Sequence, residues 1–119
     1  MRLIAVALGC AGALLAATTA SQGAAPKTLT GVVGPAFNIS LKLRTKAVKL
    51  LPPGQYIVVV HDKSSIHDFH LTGPGVSKKT TVGGVGTFAW HLTFRTGTYR
   101  FVCDPHKTLM KGKFIVQTP

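Results

Sequence analysis

Apolar and polar side chains begin to alternate at Phe37: Phe37, Ile39, Leu41 and Leu43 share one parity, and Asn38, Ser40, Lys42 and Arg44 take the other. A period of two marks a half-buried β-strand. After the turn signal PPG at 52–54, QYIVVV at 55–60 is a short β-branched run suited to a buried strand. GPG at 73–75 and the glycine pair at 83 and 84 punctuate the chain again. GTFAWHLTF at 86–94 places Phe88, Trp90, Leu92 and Phe94 inward and turns His91 out. GTYRFVC at 97–103 puts Tyr99, Phe101 and Cys103 on one face, and GKFIV at 112–116 supplies a last strand. After the N-terminal segment no stretch has a period of 3.6, and turn signals recur about every ten residues. The pattern predicts an all-β fold, a Greek-key β-sandwich or barrel.

The first residues belong to a different object. Arg2 precedes an apolar run from Leu3 to Ala17, followed by small and polar residues. That order predicts a secretory signal peptide within residues 1–25, cleaved after Ala20 or Ala25. The run is short for a membrane span, which needs about 20 residues. A lipid-attachment site at Cys10 is a lesser alternative. Residues 26–119 then form one domain with one core, and no transmembrane span in the mature chain.

Charge and cysteine usage narrow the function. The formal net charge is +11, from 14 Lys and Arg against three Asp and no Glu. Such a balance favours anionic partners. Nucleic acid is not among them: export argues against it, and the chain carries no recognition helix, zinc finger or RNA-binding aromatic pattern. With the leader removed, Cys103 is the single cysteine, so no intrachain disulfide can form. An unpaired thiol in an exported protein calls for burial, intermolecular pairing or a ligand role.

The segment CDPHKTLM at 103–110 answers that need. Cys103 lies in phase with Tyr99 and Phe101, so its sulfur points to the core at a strand end, where a buried cysteine is by default an inert hydrophobe. His106 follows after Asp104-Pro105, whose proline stiffens the loop, and Met110 comes four residues later. A thiolate, an imidazole and a thioether lack only a second histidine to make a type 1 copper site, a His₂Cys plane with a weak axial Met. SSIHDFHL at 64–71 offers His67 and His70. In an extended segment His67 shares a face with Phe69 and Leu71, which selects His67 and leaves His70 at the rim. Asp62 and Asp68 are expected to satisfy backbone donors in turns, and Asp104 to do so beside the cysteine; Asp68 and Asp104 are also candidates to orient the ligands from behind, whereas Trp90 is assigned to the core and His61 and His91 to the surface.

These residues resemble the cupredoxins, single-domain type 1 copper proteins such as plastocyanin, pseudoazurin and azurin. The matching positions are His67-Asp68-Phe69, then Cys103, His106 and Met110, with GTYRFVCDPH similar to the strand entering the ligand loop. The likeness covers about Lys27 to Val116. Two departures stand out: His106 and Met110 are one residue closer than in typical plastocyanins, and Asp68 replaces the usual Asn. The resemblance implies one copper ion, one-electron transfer and no enzymatic activity, with His106 as the exposed edge through which electrons pass. Lys107, Lys111 and Lys63 then lie near the face that meets a larger redox partner with an acidic surface, and the protein is expected to be a periplasmic, extracellular or cell-surface monomer.

Other classes fit less well. A zinc hydrolase needs an open position and usually a carboxylate base, yet the chain has no Glu and no HExxH. A cysteine hydrolase needs a cleft beside its thiol. Copper storage or chaperone work is the alternative that shares the metal without the electron transfer. A multicopper oxidase would need further domains and further histidines.

Overall fold

A computed structural model describes residues 12–13 and 25–119. The expected leader, including Cys10 and the cleavage point after Ala20, lies outside the described residues. No helix among the described residues is long and apolar enough to cross a membrane.

Among the described residues ten strands follow one another: β1 (Lys27–Val33), β2 (Ile39–Leu43), β3 (Lys46–Ala47), β4 (Leu50–Leu51), β5 (Gly54–Asp62), β6 (His70–Gly73), β7 (Val76–Lys79), β8 (Gly86–Phe94), β9 (Gly97–Val102) and β10 (Lys111–Val116). They build two five-stranded sheets, ordered β3-β2-β1-β5-β8 and β4-β10-β9-β6-β7. The chain passes repeatedly from one sheet to the other, as Greek-key connectivity requires, and the result is a sandwich rather than a closed barrel. β1 and β5 pair in parallel over the full length of β1, with Lys27 opposite Tyr56 and Val33 opposite Asp62.

Alternation decides what each sheet buries. In β5, Tyr56, Val58 and Val60 point inward while Ile57 and Val59 stay half-buried on the outer face, so the β-branched run is one-sided rather than buried throughout. Leu29 and Leu41 complete that side, and Leu71, Tyr99, Phe101 and Phe114 answer from the second sheet. Each such side chain contributes about 1.5–3 kcal/mol by leaving water. Because β8 is an edge strand, its inward residues are only partly covered: Phe94 is buried, Trp90 and Leu92 are half-buried, and Phe88 is exposed. Phe37 departs from the sequence expectation altogether. β2 begins at Ile39, and Phe37 sits on the preceding turn with 57% of its surface exposed.

Two glycines are fixed by close approach of an aromatic ring. The Tyr99 ring lies directly over Gly73 and the Phe101 ring over Gly112, where any Cβ would collide. Glycine in a strand often marks such an approach.

Candidate metal centre

The loop between β9 and β10 is closed at its root. Cys103 donates its N–H to the Met110 carbonyl at 3.0 Å, which extends the β9–β10 ladder to the loop's first and last residues. Inside it a short 3-10 turn, Asp104–His106, begins with the proline near its start and is held by the His106 N–H on the Cys103 carbonyl at 3.0 Å. The Met110 N–H then returns to the His106 carbonyl at 2.9 Å. Cys103 and Met110 are fully buried, and His106 is half-exposed.

His67 arrives from the β5–β6 loop, which is fixed by a relay of side chains. Asp62, at the buried end of β5, accepts from the Ser64 N–H at 3.2 Å and from the Thr80 hydroxyl at 2.7 Å. Thr80 Oγ1 in turn accepts the Phe69 N–H at 2.9 Å. Residues 64–69 belong to no strand, with a turn at 65–66, and His67, Asp68 and Phe69 are all buried in succession. His67 is the histidine that reaches Cys103 and His106, but loop anchoring brings it there rather than strand parity.

Three donor atoms converge. His67 Nδ1 and His106 Nδ1 lie 3.0 Å apart, and each is 3.6 Å from Cys103 Sγ. A triangle with those sides has its centre about 2.0 Å from each corner, matching a first-row metal–nitrogen bond of about 2.0–2.1 Å and slightly short of a metal–sulfur bond of about 2.3 Å. The far nitrogen of His67, Nε2, is buried without a hydrogen-bond partner among the described residues. An orphaned donor costs about 1–3 kcal/mol, and coordination at the other ring nitrogen would offset it. The donor set thus fits a soft or borderline ion. Burial pushes the Cys103 thiol pKa up, so the sulfur must shed its proton to ligate.

Behind the donors, Asp68 and Asp104 join the two loops. The Asp104 N–H donates to Asp68 Oδ1 at 2.6 Å, and the Asp104 carboxylate lies 3.0 Å from His70 Nδ1 and 4.0 Å from Lys107 Nζ. Burial, then the hydrogen bond with Asp104, raises the Asp68 pKa. Burial also pushes Asp104 upward, but its bonds with Asp68 and His70 outweigh it and the net shift is down. Asp68→Ala would strand the Asp104 N–H and is expected to cost about 2 kcal/mol, whereas Asp68→Asn keeps an acceptor and should restore most of it. Chemical denaturation of the metal-free proteins measures both. Loss of equal size in the Asn variant would show that the carboxylate, not the acceptor, matters.

Two participants escaped sequence analysis. Phe37 stands edge-on to both imidazoles, 5.1 Å from the His67 ring and 4.9 Å from His106. Nothing in the alternation marks that role, because Phe37 falls in phase with β2. His70 is not merely a rim residue. It is partly buried on β6 and holds Asp104 across to β9. Lys107, Lys111 and Lys63 are exposed, with Lys107 beside Asp104 and Lys63 tied by its N–H to the Val33 carbonyl at 2.9 Å.

Comparison with known proteins agrees with the donor set. Residues 38–117 match the family described as copper binding proteins, plastocyanin/azurin family. Auracyanin from the photosynthetic bacterium Roseiflexus castenholzii, solved in its dithionite-reduced form, superposes with a TM-score of 0.55 at 19% identity, over 79% of this chain and 99% of that one. Rusticyanin from Thiobacillus ferrooxidans gives a TM-score of 0.55 at 23% identity, over 78% of this chain and 79% of its own. At these identities the two structures speak for the fold. No curated protein sequence matches the chain. The match over residues 38–117, on a sandwich that gathers two imidazoles and a thiol at one end, establishes that this chain belongs to the copper-binding plastocyanin/azurin family, with copper as its cofactor.

Proposed function

We propose that the protein is an exported type 1 copper protein that carries one electron at a time between larger redox partners and has no enzymatic activity of its own. His67, Cys103 and His106 are the strong donors and Met110 the weak fourth. The observation that carries this is the buried convergence of His67 Nδ1, His106 Nδ1 and Cys103 Sγ. Bound there, copper supplies a one-electron couple between Cu(I) and Cu(II).

What the chain adds is rigidity and access. Cys103, His106 and Met110 are fixed by the backbone bonds of one loop, His67 by the Asp62–Thr80–Phe69 relay, and both rings by Phe37. Donors held in place need little rearrangement between oxidation states. His106 is half-exposed, and Phe37, Ile66 and Leu109 project around this end as exposed apolar side chains. That surface suits a small, short-lived interface, with Lys107, Lys111 and Lys63 available to an acidic partner. A wide cleft between Lys27 and Leu51 lies remote from the donors, at the opposite end of β1. The leader-like N-terminus supports export, and the single domain supports a monomer.

The test is the visible spectrum of the purified protein after adding Cu(II), before and after reduction. An intense blue band that bleaches on reduction and returns on oxidation is expected. Copper uptake without that band would favour storage or delivery of the metal over electron transfer.

Replacing the thioether probes the fourth position. Met110→Leu should retain copper and the blue colour while raising the reduction potential, because loss of the sulfur disfavours Cu(II). A rise of about 60 mV corresponds to tenfold in the Cu(I)/Cu(II) ratio for a one-electron couple. Voltammetry of the two proteins reads it directly, and a fall would contradict the axial assignment.

A further inference from the structure

The two sheets present very different outer faces. Side chains directly opposite in a sheet point to the same side, so the register fixes each face. On the first sheet the outward positions of β1, β2, β5 and β8 are largely Thr, Val, Ile, Ala and two histidines, with Lys42 as the one cation among them; Lys27, exposed at the start of β1, has the inward parity of Tyr56. On the second sheet, one row at the metal end runs Lys79, His70, Val102, Lys111 across β7, β6, β9 and β10. The next runs Ser77, Thr72, Arg100, Lys113. Tyr99, Phe101 and Phe114 are buried on the inner side, which confirms that Arg100 and Lys113 face out.

Arg100 and Lys113 are directly opposed, and like charges in that position are destabilising. Among the described residues no side-chain carboxylate pairs with them. Asp62 is buried at the metal end of β5 and Asp68 in the loop that follows, and Asp104 is already shared by His70 and Lys107. A cross-strand repulsion on the outer face, beside a row that ends next to the ligand loop, is what an anionic counter-surface would relieve.

We propose that the outer face of this second sheet, centred on Arg100 and Lys113 and reaching Lys79 and Lys111, is the docking surface for an acidic protein face on the redox partner. The proposal rests on the electron-carrier function above. It separates the surface that supplies charge attraction from the apolar end around His106, and it adds β9 and β10 to the lysines at the metal end. Facing side chains in the register lie about 4.5–5.5 Å apart, a spacing that a cluster of carboxylates can meet.

The experiment compares wild type with Arg100→Gln/Lys113→Gln and with Lys42→Gln/Lys46→Gln, which removes the same charge from the other sheet. Each copper-loaded, reduced protein is mixed with an acidic c-type cytochrome, and the electron-transfer rate is followed against ionic strength. The face variant is expected to lose about tenfold at low salt, within the range of electrostatic steering, while the control loses less than twofold. Its urea midpoint should equal or exceed wild type, since a repulsion has been removed. Independently, titration of the cytochrome into the isotopically labelled protein should shift amide signals of β6, β9 and β10. Equal rate losses in both variants, or shifts confined to the loops around His67 and His106, would overturn the proposal. So would binding of wild type to anionic phosphatidylglycerol vesicles, lost in the face variant, with no difference towards the cytochrome. Failure of the electron-carrier function itself looks different: no protein, wild type included, would then show the reversible blue band or reduce the cytochrome, whatever the amide shifts report.

Discussion

Cys103→Ala is expected to abolish the visible band of the copper-loaded protein completely while leaving the sandwich folded. The two effects separate because the residue has two roles. As a candidate donor it is the one cysteine among the described residues. As a core residue it is small, and replacing a buried thiol with a methyl removes little packing. With sulfur gone, two imidazoles remain at 3.0 Å, a set that still binds copper but has no soft anionic donor to hold Cu(I). Affinity for Cu(I) should fall by more than about a hundredfold, beyond the 10–100-fold typical of losing a supporting group behind a ligand. Competition with a Cu(I)-specific chelator gives the affinity, and circular dichroism reports the fold. A band that survived the substitution would remove Cys103 from the site.

The largest effect on stability is expected from Tyr99→Ala. The ring is fully buried, stacks on Phe114 at 5.2 Å, meets Phe94 at 4.8 Å, and covers Gly73. Its hydroxyl accepts the Arg95 N–H at 3.0 Å and donates within reach of the Arg95 carbonyl at 2.8 Å, with the Pro74 carbonyl at 3.2 Å. The residue therefore pins the β8–β9 turn and the β6–β7 turn from inside the core. Emptying such a site costs about 3–5 kcal/mol, a large share of the 5–15 kcal/mol that holds a domain together. With a urea slope of about 1–3 kcal/mol/M, the midpoint should drop by at least about 1 M. Tyr99→Phe keeps the ring and loses the hydroxyl, so about 1–2 kcal/mol is expected. If the two variants were equally damaged, the hydrogen bonds rather than the packing would be the larger contribution.

Both predictions rest on β9, and β9 was the most legible part of the chain. Its alternation, the Pro-stiffened turn and the spacing of Cys103, His106 and Met110 can be read residue by residue, because a strand and a tight loop are governed by neighbours in sequence. β1 was not legible. Its central Gly31 breaks the apolar rhythm, and the reason lies elsewhere in space: the Phe69 ring occupies the room a side chain would need. The same limit applies to residues 64–69. Parity selects His67 over His70, and His67 is the one at the cluster, but the segment is not a strand. Its burial is imposed by Asp62 and Thr80, separated by 18 residues, through hydrogen bonds that leave no periodic trace. Phe37 belongs to this class too, since its place over two imidazoles follows from the turn before β2 meeting loops from the far side of the chain.

The bond between Cys103 N–H and the Met110 carbonyl has a consequence for how such proteins diverge. It clamps the stem of the ligand loop, so the strands below see the same two ends whatever lies between them. Residues added to or removed from the span between those ends are therefore expected to leave the register of β9 and β10 in place, so that the metal centre and the scaffold beneath it can be altered independently.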